Sequence, residues 1–351
     1  MKRILLLLVA FLSFAPAAFS QSAQTSLANL PEADMLIYLS PQRILADAVP
    51  KVMAPKDVAE MQGVFAQMKS AVGVDPATIE YVVFAVRFHK PAGDLSFVAP
   101  DVMAVVGGDF NSEALLGLAQ LTLQDRVQTQ KQGGKTVAFM KIDEIAKEAE
   151  KNPILKPFTE VAAVALTPNS VAIGNMRYIN DAVAAADGTG RIKPEILQSL
   201  MRDPSVLMAA TGSPIVSFAR SFGLMGTETT PRDGRCESTF GNFYAAATVS
   251  GTNYSLRGAM NADNPDTAKI ITNLLSGLIK MDVSAIPDKT AQTILQSLKL
   301  TAKDNEVMIE ADIPFQLIAD LVREQSKPKE VSAPAQKKPA KRPVRRTKRR
   351  N

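Results

Sequence analysis

"YVVFAVRFH" (residues 81–89) and "DVMAVVGGDFNSEALLGLAQLTLQ" (101–124) decide the fold class. The first is a short run of branched and aromatic residues, the composition of a strand. The second opens as another strand, meets Gly107-Gly108, and passes into a leucine-rich segment with helical spacing. Asn111 or Ser112 stands where a helix N-cap belongs. Ten residues or so containing Pro91 and Gly93 join the two strands, enough for a hairpin loop and too little for a helical crossover. The unit is therefore two antiparallel strands followed by a helix.

The same unit recurs. Residues 242–281 hold "NFYAAATVSG" and "NYSLRGAMNA", a strand pair, then "NPDTAKIITNLLSGLIKM", a helix opened by Asn264 and Pro265. Upstream, "ADMLIYLS" (33–40) followed by "PQRILADAVPKVM" corresponds to "SVLMAATGS" (205–213) followed by "PIVSFARSFG", a strand and then a Pro-started helix. Downstream, 126–150 corresponds to 297–326, a hairpin and then a helix. Gly133-Gly134 turns the first of these hairpins and Asp304-Asn305 the second. A further hairpin around Pro168-Asn169 and two helices occupy 158–202. "PKDVAEMQGVFAQMKSAVG" (55–73) is a helix with Val58, Met61, Val64, Phe65, Met68 and Val72 at helical spacing and Gly73 as its stop. The expected fold is α+β, two pseudo-repeated lobes of antiparallel sheet, each with helices packed on one face. The expected organisation is a signal peptide (1–20), a short linker (21–30), a first lobe (31–202), a second lobe (203–326) and a disordered basic tail (327–351).

The ends differ in kind from the middle. "MKRILLLLVAFLSFAPAAFS" has two leading basic residues, an apolar run and small residues at Ala18 and Ser20, the layout of a cleaved secretory signal. Its apolar run falls short of the ~20 residues a membrane-spanning helix needs. Export to the periplasm or the extracellular space is the expectation. At the other end, residues 327–351 hold 11 Lys or Arg, one acid and four prolines, a net charge of +10. Residues 21–326 hold 27 basic and 34 acidic residues, a net −7. The basic pI of about 9.1 thus belongs to the ends, and the body is acidic. Lys337, Lys338, Lys341, Arg342, Arg345, Arg346, Lys348, Arg349 and Arg350 form the expected polyanion-binding set. No aromatic residue interleaves them, which argues against sequence-specific nucleic acid. In an exported chain the matching partner is an anionic envelope component: a phospholipid, a glycolipid or a cell-wall polymer.

Several chemistries are pruned. His89 is the only histidine and Cys236 the only cysteine, so His-rich zinc sites and internal disulfides are excluded. "QKQGGKTV" ends like a phosphate-binding loop but has Thr129 where the motif requires Gly, and its glycines suit a hairpin turn. Asp143, Glu144, Glu148 and Glu150 read as a solvated helix face. Asn253-Tyr254-Ser255 fits the glycan-acceptor pattern but falls inside a strand. No catalytic, metal or cofactor residue is assigned. The reading is a non-catalytic binding or scaffold protein tethered by its tail. The alternatives are a carboxylate-dependent hydrolase and a carrier of an apolar ligand between sheet and helix layers. "VMAVVGGDFNSEALLGLAQL" (102–121) and "VMIEADIPFQLIADLV" (307–322) resemble the hairpin-then-helix units of exported bacterial α+β proteins of unknown function. The resemblance implies that fold and an exported location, and it supplies no catalytic residues.

Overall fold

The computed structural model describes residues 26–89, 99–123, 126–149, 158–200, 203, 205–212, 240–282 and 289–326. The expected leader, Cys236, the segment "PIVSFARSFG" read as a helix and the basic tail all lie outside them. In chain order the strands are β1 (Met35–Leu39), β2 (Ile79–His89), β3 (Ala99–Gly108), β4 (Gln128–Gln132), β5 (Lys135–Lys141), β6 (Glu160–Thr167), β7 (Ser170–Gly174), β8 (Met208–Gly212), β9 (Phe240–Ser250), β10 (Asn253–Ala262), β11 (Lys299–Lys303) and β12 (Glu306–Pro314). The helices are α1 (Pro41–Arg43), α2 (Val49–Val52), α3 (Pro55–Val72), α4 (Ser112–Leu123), α5 (Asp143–Ala149), α6 (Met176–Ala186), α7 (Pro194–Leu200), α8 (Pro265–Asp282), α9 (Lys289–Ser297) and α10 (Phe315–Ser326). The fold is α+β, and every strand pairing in it is antiparallel. Among the described residues no helix is long and apolar enough to cross a membrane.

The twelve strands among the described residues form one sheet, in the order β11-β12-β10-β9-β8-β1-β2-β3-β7-β6-β5-β4. The halves meet where Met35–Leu39 of β1 pairs with Met208–Gly212 of β8. Outward from that contact the order is the same on both sides: β1-β2-β3-β7-β6 and β8-β9-β10-β12-β11. This revises one correspondence drawn from sequence. The hairpin that occupies the place of 297–326 is β6-β7 with α6, because β7 lies beside β3 as β12 lies beside β10. The added hairpin is β4-β5, which extends the sheet edge beyond β6.

Local chemistry accounts for most boundaries. Asn111 Oδ1 accepts from Ala114 N at 2.9 Å and caps α4. Gly73, at φ +73°, ends α3 by returning its N–H to the Lys69 carbonyl. Between α1 and α2 the chain makes a π-helical turn over Ile44–Ala48. Pro50 lacks an amide hydrogen and its ring displaces a carbonyl in the preceding turn, which widens the helix there. The "KQGGKT" glycines form the β4-β5 turn with φ +52° and +71°, so this segment is a hairpin and not a phosphate loop. The α3 stripe departs from the amphipathic expectation, since Val64 and Met68 are exposed. Helix α9 was not anticipated. Its "KTAQTILQS" is low in apolar residues and holds two threonines, which disfavour a helix on propensity alone.

Registry divides the sheet residues between two faces. On the first face, Leu36, Val83, Ala85, Met103, Val105, Val164 and Ala172 are buried beneath α6 and α7. Tyr178, Ile179, Ala182 and Val183 of α6 and Leu197 and Leu200 of α7 complete this core. Across β9, β10 and β12 the buried side is the opposite one. There Met260, Ala262 and Val307 pack under Ala268 and Ile271 of α8. Helices α6 and α7 therefore cover one face of the shared sheet, and α8 covers the other.

An ion cluster locks α6 to the first face. Arg87 on β2 donates to Asp101 on β3 at 3.1 Å and to Asp181 on α6. Asn175 Nδ2 donates to Asp101 Oδ1 at 2.7 Å, and the Arg87 guanidinium lies 4.8 Å from the Tyr178 ring centroid. Burial works against the Arg87 charge, but hydrogen bonds to Asp181 and Asp101 outweigh it and raise its pKa. Arg177 Nε, 3.8 Å from Asp101, supplies a second cation, so two cations face two carboxylates and the set is structural.

Candidate ligand-binding groove

The second face of β9, β10 and β12 carries three cross-strand rows. Phe243, Met260 and Val307 form one row, and Ala247, Leu256 and Ala311 form another. Between them runs Ala245, Gly258 and Ile309. Ala245 and Gly258 supply a methyl group and a hydrogen beside the larger Phe243, Leu256, Met260 and Ile309. Side-chain volume is therefore missing in the middle of the face.

Helix α8 spans this deficit without filling it. Asn264 Oδ1 accepts from Thr267 N at 2.8 Å and fixes the start of the helix. Ala268 and Ile271 seat it on Met260, Ala262 and Val307. Leu275 packs partly against the same cluster, while Leu274 is 62% exposed at the lip. The result is a groove of about 470 Å³ bounded by Phe243, Ala245, Leu256, Met260, Leu274 and Ile309. No charged residue contributes to its wall. Its volume falls in the range of small-molecule sites, roughly 300–1,000 Å³. Such a wall offers dispersion and the hydrophobic effect and no directional polar contact, so it suits a chain or ring of carbon.

A second, polar depression of about 250 Å³ lies beside β4 and β5, between Arg126, Gln128, Lys141 and Asp143. Asp143 is the one carboxylate of its wall, flanked by two cations. Among the described residues no group of three or more His, Cys, Asp or Glu is placed to hold a metal ion. His89 ends β2 opposite Ala99, at the strand end expected of it. Asn253-Tyr254-Ser255 lies in β10.

The nine basic residues singled out in the tail, Lys337 to Arg350, lie outside the described residues. The groove was not anticipated as a particular set of residues. Its signal was the run of small residues in "YAAAT" (244–248) and the glycine in "RGAM" (257–260), each next to a large apolar residue such as Phe243 or Met260. Small residues mark a void only once the strand register places them side by side.

No protein-family model matches the chain, and no curated protein matches it. Among solved structures it is similar to TP0453. Crystal form IV of that protein aligns with a TM-score of 0.42 and 9% identity, covering 84% of this chain and 95% of that one. Crystal form III aligns with a TM-score of 0.41 and 10% identity, covering 85% and 97%.

Proposed function

We propose that this is an exported, non-catalytic binding protein that holds an apolar ligand, of the acyl-chain class, in the groove beneath α8. In this reading the basic tail keeps the body at an anionic envelope surface. One observation carries the ligand class: the 470 Å³ groove is walled by residues without a charged group among them. A hydrolase needs an acid, base or nucleophile at the bond it breaks, and this wall presents no carboxylate to a bound molecule. The tail supplies 11 basic residues against one acid. Each basic residue near an anionic leaflet contributes about 1 kcal/mol, so several together hold a body of this size at low salt.

The test of the groove is direct titration. The full chain, stripped of lipid, is titrated with a fluorescent fatty acid. Saturable binding of one probe per chain, with a Kd of about 1 μM or tighter, is expected. A linear, unsaturable signal removes the reading. The tail is tested separately by retention on anionic vesicles with and without residues 327–351 across a salt series. Equal retention of both forms removes the tether.

A further inference from the structure

We propose that the second face of the sheet is a docking surface for an anionic phospholipid bilayer, an inference that rests on reading the tail as a tether. Three observations point to the same side of the molecule. First, the strands whose cores lie on the first face leave large apolar side chains exposed on the second. Phe84 on β2, Ile173 on β7 and Met208 on β8 are 36%, 43% and 45% exposed. Their same-face neighbours include Ile37, Val86, Val102 and Ala104, so the exposed residues stand in an apolar field. Contiguous apolar surface of this kind marks an interaction site.

Second, α8 lies on that face and presents Ile270 and Leu274, one turn apart and 67% and 62% exposed. Leu274 is also part of the groove wall. The groove mouth and the apolar field therefore share a side. Third, the helix that precedes the cationic tail is rooted on that side. Helix α10 carries the last described residues, and its Phe315 ring packs edge-on at 4.7 Å against Tyr254, a second-face residue of β10. The +10 segment 327–351 follows Ser326, the last residue of this helix.

The charge selects the partner. A second copy of this chain, a −7 body with its own +10 tail, is net positive and offers the tail no uniformly anionic surface. An anionic bilayer attracts the tail and accepts Phe84, Ile173, Met208, Ile270 and Leu274 at the boundary of headgroups and acyl chains. In that pose the groove opens toward the lipid from which an acyl chain would come.

The experiment uses the full chain with vesicles of equal parts phosphatidylcholine and phosphatidylglycerol. Co-sedimentation is compared for the parent, for Phe84→Ser/Ile173→Ser/Met208→Ser, and for Ile270→Ser/Leu274→Ser. Circular dichroism verifies that each folds, and light scattering gives its mass. Parent binding that persists at high salt is expected, with each variant about tenfold weaker under that condition, the equivalent of losing part of one buried side chain. If both variants match the parent at high salt, the apolar face plays no part and the proposal is overturned. If the parent is a dimer that the variants split without vesicles, the face is a self-association surface and the proposal is equally overturned. A chain ended at Ser326 that binds at low salt as well as the parent overturns the tether and this proposal with it. Loss of fatty-acid binding with vesicle binding intact removes only the ligand reading.

Discussion

Arg87 and Asp101 sit directly opposite one another on β2 and β3, joined at 3.1 Å, with Asp101 only 1% exposed. Asp101 also accepts from Asn175 at the start of α6. One carboxylate therefore ties two strands to the helix that roofs them. Asp101→Ala leaves Arg87 with Asp181 alone and strands the Asn175 amide. Urea unfolding should show a loss of about 3 kcal/mol, in line with the removal of one partner from a buried pair. Asp101→Asn, which keeps the shape and one acceptor, should lose less. Equal losses would mean that charge is not what matters at this position.

The joint between the halves is tested at Gly212. Its φ of +146° is a conformation that residues with a Cβ avoid, and an added methyl would fall on the Asp34 carbonyl oxygen and 2.7 Å from Met35 Cα. Gly212→Ala should destabilise by about 2 kcal/mol or more through strain and lost β1-β8 pairing. Gly63, in α3 with open space around its missing Cβ, is the control. Gly63→Ala should stabilise by about 1 kcal/mol on helix propensity. Thermal melts of the two variants should move in opposite directions.

Alkaline pH should expose the roof of the first face. Of the five tyrosines, Tyr178 is fully buried, and burial pushes its phenol well above the ordinary value. Its hydroxyl donates to the Glu32 carbonyl at 2.9 Å, a bond that requires the proton. A pKa raised on folding contributes stability that is complete below the unfolded value of about 10 and is lost as pH climbs through the folded value. Ultraviolet titration should therefore show late-ionising phenols whose appearance coincides with unfolding, and Tyr178→Phe should remove one of them. Early, reversible ionisation of all five would contradict the burial of Tyr178.

The groove predicts a variant that binds less without folding worse. Ala245→Phe places a ring in the space beside Gly258 and beneath α8. Fatty-acid affinity should fall by about tenfold or more, a change of ~1.4 kcal/mol. The melting temperature should hold or rise, because the ring fills a void without displacing a packed neighbour. Unchanged affinity would place the ligand elsewhere.

Much of the architecture was legible because it is local. Gly133-Gly134 and Asp304-Asn305 could be read as turns because the backbone there needs left-handed φ, and Asp304 indeed takes φ +52°. Asn111 and Gly73 could be read as helix ends because capping is settled within a few residues. The α+β class followed from strand pairs preceding helices. Helix α9 escaped because its short, polar segment is ordered by packing against α8, α10 and β12 more than by its own propensity.

What the amino-acid order alone determined is most of the described elements, their turns and the opposed charges of body and tail, since each depends on neighbours along the chain. What only the tertiary structure decided is who pairs with whom across it. Residues 35–39 meet 208–212, the β6-β7 hairpin takes the place first given to β4-β5, and the core changes faces between β8 and β10. The groove belongs to that second class. Ala245 and Gly258 face one another within the β9-β10 hairpin, but only the fold brings Ile309 of β12 and Leu274 of α8 to them. Long-range pairing is a collective outcome of burying both helix layers at once, so no window of sequence contains it.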